Sequence, residues 1–130
     1  MDSIERARAF VEASTAGRWA EAAGYVAEGV LFVFPSGTYV SLEALRVGLG
    51  GRYRDLSKQF ETWDLACHAD GSVVVICAGT LAGVNLFDVP FSGVRFLDRL
   101  VLRDGLVVGH QVYNDLASSG VLRRRDLHGS

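Results

Sequence analysis

Cysteine is scarce in the 130 residues. The two present, Cys67 and Cys77, share no metal or redox spacing with each other or with the three histidines. That excludes a disulfide scaffold and the common zinc and dithiol motifs, and the two thiols read as small hydrophobes. A dominant charge is lacking as well: thirteen Lys+Arg against fifteen Asp+Glu leave a net charge of −2. A nucleic-acid partner held by phosphate neutralisation is therefore not expected. No apolar run approaches the ~20 residues of a membrane helix, and no signal peptide opens the chain, so the expected setting is cytoplasmic, thiol-reduced and away from membranes. Lysine is almost missing, with a single Lys58 beside twelve arginines. By composition this suggests a GC-rich genome and says little about mechanism.

What is present is a folded-protein balance: 49% hydrophobic and 22% charged residues, enough to bury a core without staples. One domain over residues 1–122 and a polar tail over 123–130 are expected, the tail including the run Arg123-Arg124-Arg125 and His128. Helical spacing rules the first third. Ile4, Ala7, Phe10, Val11 and Ser14 form one stripe behind the candidate caps Asp2 and Ser3, and Ala16-Gly17 ends it. A second helix is predicted over Trp19 to Ala27, a short strand over Val30 to Phe34, and a third helix capped by Ser41 and broken at Gly50-Gly51. From Lys58 the period becomes two, with strands near 58–68, 72–85, 93–103 and 106–115. Asp70-Gly71 and Asp104-Gly105 read as tight turns, and Val84 to Ser92 as a longer loop. Helices followed by a meander of antiparallel strands make an α+β plan.

One strand carries chemistry. Alternation from Gly93 to Arg103 puts Val94, Phe96, Asp98, Leu100 and Leu102 on one face and Arg95, Leu97, Arg99, Val101 and Arg103 on the other. Asp98 is thus a lone acid in an apolar row, where a carboxyl must find a partner or stay protonated. A three-residue loop Arg103-Asp104-Gly105 would set Leu102 opposite Leu106, Leu100 opposite Val108, Asp98 opposite His110, Phe96 opposite Val112 and Val94 opposite Asn114. A two-residue Asp104-Gly105 turn would instead set Asp98 opposite Gln111 and send His110 to the arginine face. The first register is preferred because it keeps Leu106, Val108 and Val112 on the apolar side.

The runs Phe96-Leu97-Asp98-Arg99-Leu100, Arg103 to Val107 and Val112-Tyr113-Asn114-Asp115 resemble the closing hairpin of SnoaL-like proteins, relatives of the ketosteroid isomerases in the nuclear transport factor 2-like superfamily. The order of elements agrees over about residues 3 to 122. The resemblance implies a cone-shaped barrel, a curved and mostly antiparallel sheet wrapped around three N-terminal helices, with an apolar pocket at one end. It also implies a homodimer through the outer sheet face. Position by position, Asp98 matches the isomerase acid held protonated to donate to an oxyanion. The isomerase base would fall at Phe34 and its phenol near Phe10, both apolar here. The carboxylate of the cyclases and epoxide hydrolases would fall at Val112, and Arg99 points away from Asp98.

The expected function is therefore a small cofactor-independent enzyme, with no metal, that transfers protons in isomerase, cyclase or dehydratase fashion on a hydrophobic small molecule. Asp98 and His110 would be catalytic, His110 moving the proton while Asp98 fixes its tautomer. Phe34, Phe96, Val112 and Asn114 would shape the pocket, with Tyr25, Trp63 and Phe87 as further lining candidates and Asn85 as a polar contact. A non-catalytic ligand-binding or dimerisation module is the alternative, and epoxide opening a weaker one that needs a pocket arginine.

Overall fold

The computed structural model describes residues 1–50, 52–117 and 119–120; Arg123-Arg124-Arg125, His128 and the expected tail lie outside them. Helix α1 (Ser3–Thr15) starts where the Asp2 carboxylate accepts a hydrogen bond from the Glu5 amide at 2.8 Å and buries Ala7, Phe10, Val11 and Ala13 on one stripe. The second helix is shorter than its sequence pattern predicts: α2 (Trp19–Ala22) tightens into a 3₁₀ turn over Ala23–Tyr25. The chain is then already extended, so β1 runs Val26–Phe34, four residues earlier than expected. Pro35-Ser36 turns it into a short strand that the sequence did not announce, β2 (Gly37–Tyr39). Helix α3 (Leu42–Leu49) is capped by the Ser41 hydroxyl, which accepts from the Ala44 amide at 3.0 Å, and closes at Gly50.

Four long strands follow: β3 (Tyr53–Cys67), β4 (Val73–Asn85), β5 (Pro90–Arg103) and β6 (Leu106–Asn114). The sheet order is β2-β1-β6-β5-β4-β3, antiparallel throughout except where β1 runs parallel to β6. The expected α+β plan is the observed one, a curved open sheet around the helices. Its curvature has local causes. The β3–β4 register shifts at Tyr53/Asp55 and Phe60/Thr62, and beside those bulges a Cβ on Gly83 or Gly79 would overlap the backbone carbonyl of Asp55 or Gln59. Only glycine permits so close an approach of two strands.

The longer loop expected over Val84 to Ser92 is a compact turn. β4 runs on to Asn85, β5 begins at Pro90, and the Asn85 side chain accepts from the amides of Phe87 (2.8 Å) and Val89 (3.0 Å). The Asn85 side chain thus organises the turn. The β5–β6 register also differs from both alternatives. Asp104 and Gly105 have φ of 52° and 78°, a two-residue turn that sets Arg103 opposite Leu106 and Leu102 opposite Val107. A bulge then inserts Val108, and beyond it Val101 faces Gly109, Leu100 faces His110, Asp98 faces Val112 and Phe96 faces Asn114. The pairs Leu102–Leu106, Leu100–Val108, Asp98–His110, Phe96–Val112 and Val94–Asn114 are therefore not formed. Val107, not Val108, is buried. Because the bulge restores the alternation, His110 still faces inward.

Candidate active site

The inner face of the sheet presents a charged group at the end of an apolar hollow. Asp98, midway along β5, is 0% exposed. Its direct cross-strand neighbours are Cys77 and Val112, neither of which is a good donor. The partner comes from two strands away: Lys58 on β3 extends its stem over the Phe96 ring, Nζ 4.6 Å from the centroid, and donates to Asp98 Oδ2 at 2.6 Å. His110 approaches the same oxygen diagonally across β5–β6, Nε2 at 3.4 Å. That contact is too long for an aligned hydrogen bond, and among the described residues neither ring nitrogen of His110 has a hydrogen-bond partner, nor has Asp98 Oδ1. The imidazole is held by packing instead, edge-on to Phe10, Phe32 and Phe34 with centroids 5.7, 6.1 and 5.4 Å away.

The charge state follows from these contacts. Burial alone would raise the Asp98 pKa, but the Lys58 ammonium, with His110 adding to it, outweighs burial and holds the carboxyl down at about 2. Asp98 is a carboxylate here, not the protonated donor that the isomerase resemblance implies. Burial first, and then the Asp98 charge, push the neighbouring Cys77 thiol up to about 12, which leaves it unreactive.

In front of this group lies a cavity of about 680 Å³, walled by the end of α1 and the turn after it (Ser14 to Gly17), by Leu45 and Leu49 of α3, and by Tyr53, Leu56, Lys58, Phe96, His110, Val112, Asn114 and Leu116. Lys58 and His110 reach the cavity surface, whereas Asp98 sits behind them. Of the residues expected to shape the pocket, Phe34, Phe96, Val112 and Asn114 do line it. Three do not. Trp63 borders a neighbouring hollow of about 630 Å³ with Arg8, Glu12 and Phe60, and that hollow shares Lys58 and Leu56 with the first. Tyr25 packs against the main core cluster, and Phe87 is 45% exposed on the tight β4–β5 turn. Arg99 is on the outer face as expected, donating to Gln111 at 3.2 Å. Arg46 and Arg54 reach the cavity wall but are engaged with Glu43 and Asp88.

Lys58 is the cavity-lining charge that the composition had left without a role. The signal that finds it is the one that singled out Asp98: a lone charge in an inward apolar row, here Leu56, Lys58 and Phe60, all half-buried on one face of β3.

No protein-family model matches the chain, and no curated protein does. Solved structures do. An NTF2-like protein of unknown function from Burkholderia pseudomallei superposes with a TM-score of 0.79 at 13% identity, over 94% of this chain and 98% of that one. TerC, co-crystallised with polyporic acid, gives 0.74 at 14% identity, over 92% and 97%. A putative SnoaL-like polyketide cyclase from Jannaschia sp. gives 0.69 at 20% identity, over 92% and 90%. The fold is that of the NTF2-like and SnoaL-like proteins. No helix among the described residues is long and apolar enough to cross a membrane.

Proposed function

We propose that the protein is a small enzyme that moves a proton at a carbon next to a carbonyl in a hydrophobic small molecule, using its own side chains. One observation carries the reading: the buried Lys58–Asp98–His110 group closes the inner end of an apolar cavity, and among the described residues neither imidazole nitrogen is hydrogen-bonded. His110 takes the proton from carbon and returns it. Asp98 is a positioning residue, its fixed charge stabilising the imidazolium that forms. Lys58 Nζ and His110 Nε2 reach the same oxygen and so lie within about 6 Å of each other. A substrate carbonyl oxygen beside the ammonium would have its developing negative charge stabilised. Phe34 and Phe96 provide the apolar walls. That TerC was co-crystallised with polyporic acid supports a small organic occupant for this cavity.

The test is solvent deuterium incorporation, followed by proton NMR, into a panel of hydrophobic ketones that includes 2-tetralone. Wild-type protein is expected to exchange α-protons well above buffer, and H110Q to lose ~100-fold or more. Ketones that broaden on binding yet exchange no faster than in buffer would make the cavity a binding site without catalysis. We also propose a homodimer through the outer sheet face, where Leu97 and Tyr113 are paired and exposed; light scattering should report a dimer that L97E dissociates.

A further inference from the structure

We infer that Lys58 is a nucleophile that condenses with the substrate carbonyl, so that the proton is removed from a lysine-bound iminium rather than from a free ketone. The inference rests on the proton-transfer reading of the cavity and deepens it, naming aldehydes and ketones as the substrate class.

Three observations converge. Lys58 is the one lysine in a chain with twelve arginines, and its side chain is only 11% exposed. If the site needed only a cation to balance Asp98, arginine would do so better, because its fork satisfies both carboxylate oxygens. Lys58 instead bonds Oδ2 alone and leaves Oδ1 without a partner among the described residues. What lysine offers that arginine cannot is an amine able to attack carbon. The placement suits that use: Asp98 and the Phe96 ring hold Nζ in position, Asp98 supplies its one hydrogen bond among the described residues, and the residue lines both hollows.

The step balances within the site. The ammonium gives a proton to His110 by way of the Asp98 oxygen that both approach, and the freed amine forms the C–N bond while the C=O π pair moves to oxygen. Protons returned by the imidazolium and by nitrogen let oxygen leave as water, so ammonium and carbonyl become iminium and water. His110 then removes an α-proton, and the C–H pair moves through C=N onto nitrogen to give the enamine. Reprotonation and hydrolysis restore the amine.

The test uses 2-tetralone with sodium cyanoborohydride, which reduces an iminium to a stable secondary amine. Peptide mapping by mass spectrometry is expected to find the adduct on Lys58, formed ~10-fold or more faster than on Nα-acetyl-lysine under the same conditions. K58R, which keeps the positive charge, should lose both the adduct and deuterium exchange while melting as a folded protein. Wild-type exchange without a Lys58 adduct, or K58R exchange at the wild-type rate, would overturn covalency and leave direct proton transfer standing. An adduct on Lys58 without exchange would support the iminium and remove His110-driven proton transfer. Neither adduct nor exchange would overturn both.

Discussion

Strand β5 carries two ion pairs of equal length and opposite meaning. On its inner face Asp98 meets Lys58 at 2.6 Å; on its outer face Arg95 meets Asp115 at 2.6 Å. The inner carboxylate is 0% exposed, whereas the Arg95 side chain is 83% exposed. Water and salt screen the outer pair, and holding two long side chains in register costs entropy, so its net contribution is small. The inner carboxylate has no such exposure, and its buried charge is tolerable because Lys58 is there. Distance alone does not rank these contacts; the surroundings do.

The largest break in that comparison comes from removing one inner partner. K58M should destabilise the fold by about 3–5 kcal/mol in urea unfolding, because Asp98 is left buried and uncompensated. The double variant K58M/D98L, which removes both charges, should recover most of that loss. A double variant as unstable as the single would mean that the lysine stem's packing, not its charge, supports the site.

Acid is the next lever. Asp98 has a folded-state pKa lowered from 3.8 to about 2, so its contribution is fully present above the unfolded value and is lost as pH falls through the folded one. Between pH 4 and 2 this is worth about 2.5 kcal/mol. K58M should lack that limb of the acid-unfolding curve. At the small end, R95A should change stability by at most about 1 kcal/mol, with the difference shrinking in high salt.

Much of this architecture is legible in the residues. Asp2 and Ser41 announce their helices because a short side chain preceding an apolar stripe has one obvious task, and the alternation along β5 marks Asp98 as inward without further help. The register of the closing hairpin was not legible. The Asp104-Gly105 turn and the extra residue Val108 each shift the pairing by one, and a bulge is decided by how the strand must bend over the core rather than by local sequence. The inward placement of His110 therefore holds for a different reason than the sequence suggested: Asp98 is its diagonal neighbour, not its direct one. Lys58 escaped for a related cause, since its side chain spans two strands and no pairing rule links positions 40 residues apart. Tyr25, Trp63 and Phe87 show the limit of composition, because an aromatic ring does not reveal which of several hollows it faces.

The central claim is a charge state: Asp98 is an ionised carboxylate between Lys58 and His110, not a protonated donor. Its side-chain carboxyl ¹³C shift, followed by NMR against pH, measures this directly. A carboxylate that stays ionised down to a midpoint near 2 is the result this structure predicts. A midpoint above the ordinary aspartate value of about 4 would make Asp98 a neutral acid at working pH and contradict the account.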